Sequence, residues 1–240
     1  MQRDTLFNSH EQVEPFAFDQ QVAEVFPDMI RRSLPGYSLT LEMIAVIAGR
    51  FVTDGSLIYD LGCALGDSAQ ALQRGAQGRD SRIIAVDSSP AMIDRCRQQI
   101  DSGNLSPPIE LICADITTLQ FHNISLAALN FTLQFIPHTE RLPLLRAIRH
   151  GMNSSGALLI SEKIRFEDEI IDHHQHELHT AFKLQQGYSH LEVSRKREAL
   201  EEVLIPDTMH QHIHRLQQAG FTRIIPWFQC FNFISILAIR

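Results

Sequence analysis

The sequence has few cysteines, no long apolar run and no excess of positive charge. Its four cysteines lie far apart without a Cys-x-x-Cys pair, so the pattern indicates neither a zinc site nor a disulfide framework. We therefore expect reduced thiols and no bound metal. No apolar stretch approaches the roughly 20 residues that a membrane-spanning helix needs. The N-terminal residues also lack the layout of a signal peptide, so we expect a cytoplasmic protein without a membrane segment.

The charge balance argues against direct nucleic-acid binding. The chain has 28 acidic residues against 21 lysines and arginines, which gives a formal net charge of −7. A protein that grips a phosphate backbone normally carries a basic surface instead. Chemistry on a small molecule is therefore the better starting hypothesis.

Short apolar segments alternate with helical patterns from residue 56 onward. This alternation predicts an α/β fold with a doubly wound, mainly parallel seven-stranded sheet. The last two apolar segments, 221–227 and 231–239, are close enough to form a C-terminal antiparallel hairpin, a feature of methyltransferase-type folds. The length of 240 residues suits a single domain spanning 1–240.

Two helical regions add to this alternating pattern. Residues 1–52 hold two amphipathic helices, which we expect to act as a lid, and Pro27 predicts a break in the first of them. Residues 166–203 are polar and helical, and we expect a helical insertion there. Ser89-Pro90 is typical of a helix start, as is Asp207-Thr208, whose helix should end at Gly220.

The strongest motif follows the first predicted strand. Gly62-Cys-Ala-Leu-Gly66 is a glycine turn of the G-x-x-x-G type, unlike the G-x-G-x-x-G of a pyrophosphate cradle. Asp87 and Asp115 follow the next two strands, at the ends where open α/β sheets bind ligands. Each has an ordinary alternative: a tight turn for the glycines, a helix cap for Asp87 and a plain loop for Asp115. Together they favour a nucleoside-type ligand, with Asp87 accepting the ribose hydroxyls and Asp115 the adenine amino group.

Two clusters of basic residues allow a functional and an ordinary interpretation. Four histidines between His173 and His179 have the spacing of a helix face, but without cysteines they favour a solvated polar helix over a metal site. The histidines at 210, 212 and 214 are interpreted in the same way. Arg195-Lys196-Arg197 is either a solvated charged face or a carboxylate clamp.

Segments along nearly the whole chain resemble the carboxy-S-adenosyl-L-methionine synthases, bacterial enzymes of the methyltransferase fold. General methyltransferases share the glycine turn but not its flanking segments. The segments that carry the resemblance are 3–7, 22–30, 35–38, 59–63, 89–93, 129–135, 161–163 and 227–233.

The resemblance implies a specific reaction and a specific set of ligand contacts. Prephenate would supply a carboxyl group to the methyl carbon of S-adenosyl-L-methionine, leaving phenylpyruvate and water. A separate tRNA carboxymethyltransferase would use the product to modify a wobble uridine, and the synthase would be a homodimer. Carried over by motif, Arg197 would hold the transferred carboxylate. The other implied contacts to S-adenosyl-L-methionine are Tyr37, Gly62, Cys63, Ala64, Asp87, Ser88, Asp115, Ile116 and Asn130.

Two other functions remain open on the sequence. An ordinary methyltransferase acting on a small molecule would share the same adenosyl site. A non-catalytic partner of a tRNA-modifying enzyme would bind the ligand without consuming prephenate.

Overall fold

A seven-stranded sheet forms the centre of the computed structural model, which describes residues 2–8, 13–100 and 106–240. The strands are β1 (Ser56–Leu61), β2 (Ser81–Asp87), β3 (Ile109–Cys113), β4 (Ile124–Asn130), β5 (Met152–Lys163), β6 (Arg223–Cys230) and β7 (Phe233–Ile239). Their spatial order is β3-β2-β1-β4-β5-β7-β6. Strands β1 to β5 pair in parallel, and β7 is antiparallel to both β5 and β6. The predicted fold class, including its terminal hairpin, is confirmed.

Eight α-helices surround the sheet in the described part of the chain. They are α1 (Gln20–Ser33), α2 (Tyr37–Phe51), α3 (Asp67–Gly75), α4 (Pro90–Gln99), α5 (His138–Gly151), α6 (Glu169–Gln185), α7 (His190–Leu200) and α8 (Met209–Gln218). Among the described residues, no helix is both long and apolar enough to cross a bilayer. Two predicted helix starts are confirmed: Ser89 caps α4 with Pro90 at its first position, and Thr208 caps α8 through a capping box.

The central strand β4 shows how the two halves of the core are divided. Leu126 and Ala128 face one apolar cluster, whereas Ala127 and Leu129 face the other. This alternation is what the period of two residues in a strand requires. All four side chains are fully buried, so both faces of the sheet are covered, as a parallel sheet demands.

The strand order reverses between β1 and β4, and this point decides where a ligand can bind. Strand β2, which follows β1 in the chain, lies next to β1 toward one edge of the sheet. Strand β5, which follows β4, lies next to β4 toward the other edge. The carboxyl ends of β1 and β4 therefore border a crevice that no connection covers. The glycine turn follows β1 directly, and Asn130 is the last residue of β4.

The break predicted at Pro27 is wrong, because α1 runs without interruption from Gln20 to Ser33. A proline inside a helix removes one backbone hydrogen bond and costs about 3 kcal/mol. The apolar face of α1, including Val22, Val25 and Met29, is buried in a cluster with residues of α4. This packing outweighs the local preference of Pro27.

A buried ion-pair network joins α5 and α8 beneath the sheet. The fully buried guanidinium of Arg141 donates to Asp207 at 2.5 Å and to three backbone carbonyls, and Arg215 lies 2.8 Å from the same carboxylate. Burial alone would raise the pKa of Asp207, but Arg215 and Arg141 bring it below its usual value. His212 is buried beside this network, so the expected solvated helix face is wrong for this histidine.

Replacing Arg141 with alanine should lower the free energy of unfolding by about 3–5 kcal/mol, because it removes one partner from a buried charge network. Urea unfolding measures the change. The control is Arg82→Ala, since Arg82 lies 3.5 Å from Glu110 with both side chains at least half exposed. That surface pair should contribute about 1 kcal/mol or less. Equal losses in the two variants would contradict this account.

Candidate functional site

The first residue of the glycine turn after β1 has a left-handed backbone conformation, which glycine adopts more easily than other residues. Gly62 has a φ of +80°, and a Cβ there would lie 2.4 Å from the side chain of Thr132. The backbone N–H groups of Gly62 and Cys63 both donate to the carbonyl of Val86, at 2.8 and 2.9 Å. These bonds join the turn to the end of β2.

Asp87 connects the glycine turn to the start of α4. Its carboxylate accepts the backbone N–H of Ala64 and that of Ser89, each at 2.9 Å. Burial raises the pKa of Asp87, although these two N–H groups oppose the effect. Since each carboxylate oxygen has a second lone pair, the group retains acceptor capacity for a pair of ligand hydroxyls. The exposed Ser88 follows it directly.

Asp115 begins a short 3₁₀ turn, Ile116–Thr118, after β3. Its Oδ1 accepts from both the backbone N–H and the hydroxyl of Thr117, each at 2.8 Å. Ile116 is buried next to it. The predicted loop acid is therefore a fixed acceptor beside an apolar surface, which suits an adenine ring and its amino group.

Tyr37 and Asn130 contribute two more polar side chains to the crevice. The Tyr37 hydroxyl donates to Asp67 at 3.1 Å, and Asn130 donates through Nδ2 to the hydroxyl of Ser68 at 2.9 Å. Among the described residues, the buried Oδ1 of Asn130 has no hydrogen-bond partner. Such an acceptor is costly to leave unpaired, so a ligand donor at this point would stabilise the site.

These residues border one cavity of about 410 Å³, a volume within the usual range for small-molecule sites. Nine of the ten predicted contacts line it: Tyr37, Gly62, Cys63, Ala64, Asp87, Ser88, Asp115, Ile116 and Asn130. Arg197 is exposed and lies outside the lining. It is near enough to Lys163, which does line the cavity, to lower the pKa of that lysine.

Asp60, at the end of β1, lies behind the glycine turn and not in the cavity lining. Burial raises the pKa of Asp60 to about 7, the charge of Asp87 adds to the effect, and the backbone N–H of Ala69 opposes it. At neutral pH a substantial fraction of this carboxyl group is therefore protonated.

Sequence reasoning missed an aromatic wall that encloses the cavity. Phe18 and Phe135 pack edge to face with centroids 5.1 Å apart, and Phe131 and Phe233 do so at 6.1 Å. Phe16 and Phe26 also line the cavity. In the sequence, each of these phenylalanines is indistinguishable from an ordinary core residue, so no signal pointed to them.

The expected solvated histidine helix is right for His173 and His174, which are exposed, and wrong for His179. His179 is buried and lines the cavity, and its Nε2–H donates to the carbonyl of Ser33 at 2.8 Å. Burial, reinforced by Lys183, lowers the pKa of His179 to about 2, so the ring is neutral. Within the described ranges, no three His, Cys, Asp or Glu side chains are grouped to hold a metal ion.

Lys196 is likewise buried and lines the cavity. The expectation of a solvated charged face for Arg195-Lys196-Arg197 is therefore wrong for Lys196. The helical period explains the difference, since Lys196 shares the inner face of α7 with Val193 and Ala199, both buried. Arg197 follows Lys196 directly, so it lies at the edge of that face, where it is exposed.

Comparisons with known proteins agree with this geometry. The sequence profile of a family described as a methyltransferase domain matches residues 58–156. A putative S-adenosyl-L-methionine-dependent methyltransferase from Methanococcus maripaludis has a TM-score of 0.61 at 19% identity, covering 96% of this chain and 95% of that one. Human N-acetylserotonin methyltransferase, solved with SAM, has a TM-score of 0.62 at 17% identity, covering 92% of this chain and 55% of that one.

At these identities the structural likeness shows the fold alone. The chain is a protein of the methyltransferase fold. The sequence is more specific. The carboxy-S-adenosyl-L-methionine synthase of Haemophilus ducreyi is 49% identical over 100% of this chain and 99% of its own length. The chain belongs to the carboxy-S-adenosyl-L-methionine synthase family, which confirms the resemblance found in the sequence.

Gly62→Ala should destabilise the fold more than Gly55→Ala does. Both glycines have a positive φ, but a Cβ at Gly55 meets nothing within 4 Å. Gly55→Ala should cost only the backbone strain of about 1–2 kcal/mol, whereas Gly62→Ala adds the collision with Thr132. Urea unfolding of the two variants measures the difference, and adding Thr132→Gly should recover part of it. Equal losses at the two positions would show that the turn has room for a side chain.

Proposed function

We propose that this chain converts S-adenosyl-L-methionine and prephenate to carboxy-S-adenosyl-L-methionine, releasing phenylpyruvate and water. The observation that carries the proposal is the full-length match to a synthase of this name, 49% identical. The cavity supports it, because nine of the expected contacts line the same space.

The site offers a matching partner for each part of S-adenosyl-L-methionine. Asp87 has acceptor capacity for the two ribose hydroxyls, and Asp115 with Ile116 suits the adenine edge and face. The backbone from Gly62 to Ala64 lines the cavity and carries only small side chains, so the methionyl chain can approach it closely. The unpaired Oδ1 of Asn130 provides one more acceptor.

The proposed chemistry needs little from protein side chains beyond position. Prephenate loses its ring carboxylate as carbon dioxide and its ring hydroxyl as hydroxide, leaving the aromatic phenylpyruvate. Hydroxide takes a proton from the sulfonium methyl group, which gives water and a carbon nucleophile. That carbon forms a bond to carbon dioxide, so all atoms are accounted for and no protein base is required. Holding both molecules in one cavity supplies the proximity that the step needs.

Exclusion of water is the second requirement, because water would quench the carbanion or allow carbon dioxide to escape. The aromatic wall contributes apolar surface from the N-terminal region, where Phe16, Phe18 and Phe26 line the cavity. The helical insertion contributes His179 and Lys183 from α6 and Lys196 from α7. We assign the role of a lid to residues 1–52 and 166–203 within a single 1–240 domain.

The wider biological role follows the family. A tRNA carboxymethyltransferase would use the product at a wobble uridine, and this chain itself would act as a cytoplasmic homodimer that does not bind nucleic acid directly. The net charge of −7 agrees with the last point.

Incubation of the purified protein with S-adenosyl-L-methionine and prephenate should yield a ligand heavier than S-adenosyl-L-methionine by one carbon dioxide. Prephenate labelled with ¹³C in its ring carboxylate should pass that label to the product, as mass spectrometry can detect. Asp87→Ala should abolish product formation through loss of binding, whereas Asp94→Ala, on the exposed face of α4, should not. Formation of S-adenosylhomocysteine would indicate a methyltransferase, and binding without consumption of prephenate would indicate a non-catalytic partner.

The clamp at Arg197 rests on the family resemblance, because this side chain is exposed and outside the cavity lining. With the clamp in place, Arg197→Ala should weaken the affinity for carboxy-S-adenosyl-L-methionine about ten- to hundredfold, the usual effect of losing a charge-assisted hydrogen bond. The affinity for S-adenosyl-L-methionine should stay within a factor of about three, because that ligand lacks the carboxylate. Calorimetry measures both. Arg197→Lys should fall in between, since lysine retains the charge but not the bidentate geometry. Equal product affinity in wild type and Arg197→Ala would refute the clamp.

A further inference from the structure

The distribution of lysine in this chain is unusual. The sequence contains only three lysines, Lys163, Lys183 and Lys196, among 21 lysine and arginine residues. All three line the cavity described above. Every lysine of this protein therefore lies at the candidate site, and arginine supplies all the other fixed positive side-chain charges.

The three lysines come from three different elements. Lys163 ends β5, Lys183 is in the last turn of α6, and Lys196 is on the inner face of α7. Lys196 donates to the hydroxyl of Ser33 at 2.9 Å and lies 3.6 Å from a carboxylate oxygen of Asp4. Within the described ranges, Lys163 and Lys183 form no ion pair with a carboxylate.

The groups around these two lysines are mostly basic or neutral. On α6, His179 is neutral and His176 lies 3.3 Å from Asp172. On α7, Arg197 adds a positive charge, and in the N-terminal region Asp4 is held by Lys196 and Tyr188.

Burial, then the charges of Lys196, Lys163 and Arg197, lower the pKa of Lys183 to about 7. Burial and Arg197 also lower the pKa of Lys163, and Asp172 only partly opposes them. Ammonium groups that repel one another in this way are stabilised when an anion binds between them.

We infer that Lys163 and Lys183, with Lys196 fixed behind them, form an anion subsite that binds the carboxylates of a dicarboxylate co-substrate. The inference rests on the proposed function, because that function supplies the co-substrate. No atoms are transferred at this subsite; its role is to bind and orient the anion.

The charge of the cavity divides the two ligands between its ends. Asp87 and Asp115 lie at the tips of β2 and β3, where acceptors suit ribose hydroxyls and the adenine amino group. The lysines lie on β5, α6 and α7, and a sulfonium cation would be repelled by them. The anionic partner therefore belongs at the lysine end, where its carboxylates offset charge that the protein leaves uncompensated.

Kinetics with single variants test this assignment. Lys163→Met and Lys183→Met should each raise KM for prephenate about tenfold or more. The Kd of S-adenosyl-L-methionine should remain within about threefold. Arg165→Met, which removes an exposed charge outside the cavity lining, is the matched control. An unchanged KM for prephenate, or an equal loss of S-adenosyl-L-methionine affinity, would overturn the inference.

The pH dependence gives a readout that simple misfolding would not produce. Lys183 binds an anion only when protonated, so KM for prephenate should rise as pH increases through about 7. Lys183→Arg should remove this rise, because guanidinium stays charged over the whole range. A wild-type KM that is flat between pH 6 and 8.5 would contradict the role of Lys183.

A binding measurement separates this inference from the proposed function. Reductive methylation with ¹³C-formaldehyde retains the charge of each amine and should give three lysine signals in the NMR spectrum beside that of the N-terminal amine. The signal of Lys183, identified by its absence in Lys183→Arg, should titrate near pH 7. Adding prephenate to the protein loaded with S-adenosyl-L-methionine should raise the pKa of that signal. If this occurs without formation of product, the subsite stands and the proposed reaction fails. If product forms but no lysine signal responds, the reaction stands and the subsite fails.

Discussion

The attachment of the β1 turn to the end of β2 is the constraint on which the site depends. The backbone N–H groups of Gly62 and Cys63 both donate to the carbonyl of Val86. The next N–H group, that of Ala64, donates to the carboxylate of Asp87. These three hydrogen bonds hold the turn against the neighbouring strand. Because the strand order reverses beside β1, this fixed turn faces an open crevice. The same carboxylate also accepts the N–H of Ser89, the N-cap of α4, so a single acidic residue joins the glycine turn to the start of that helix.

The cavity combines two opposite electrostatic environments within a small volume. One end has acidic acceptors at strand tips, and the other has three lysines that β5, α6 and α7 bring together. Phenylalanine side chains also line the cavity, and charge interactions are stronger beside such apolar surface than in water. A cation and a dianion held in this arrangement would lie side by side in the order that carboxyl transfer between them requires. Burial, and then the charges of Lys196, Lys163 and Arg197, lower the pKa of Lys183, and a bound anion would offset this repulsion.

Local sequence signals predicted much of the fold with accurate boundaries. The C-terminal hairpin was predicted from the apolar segments 221–227 and 231–239, and its strands occupy Arg223–Cys230 and Phe233–Ile239. Ser89-Pro90 identified the start of α4, since capping is a property of neighbouring residues. The prediction failed at Pro27, where packing of α1 outweighs local preference. It also failed at His179 and His212, whose burial depends on the distant elements that cover them.

The order of strands and helices, the glycine turn and the acids that follow β2 and β3 can all be predicted from the amino-acid sequence. These features depend on residues close together in the chain, so a pattern of spacing is enough to reveal them. That the aromatic wall and the three lysines meet at the same cavity is known only from the packing of the folded chain. Lys163, Lys183 and Lys196 belong to separate elements, and which side of a helix faces inward depends on what packs against it. Convergence of that kind is a property of long-range packing, and no local pattern encodes it.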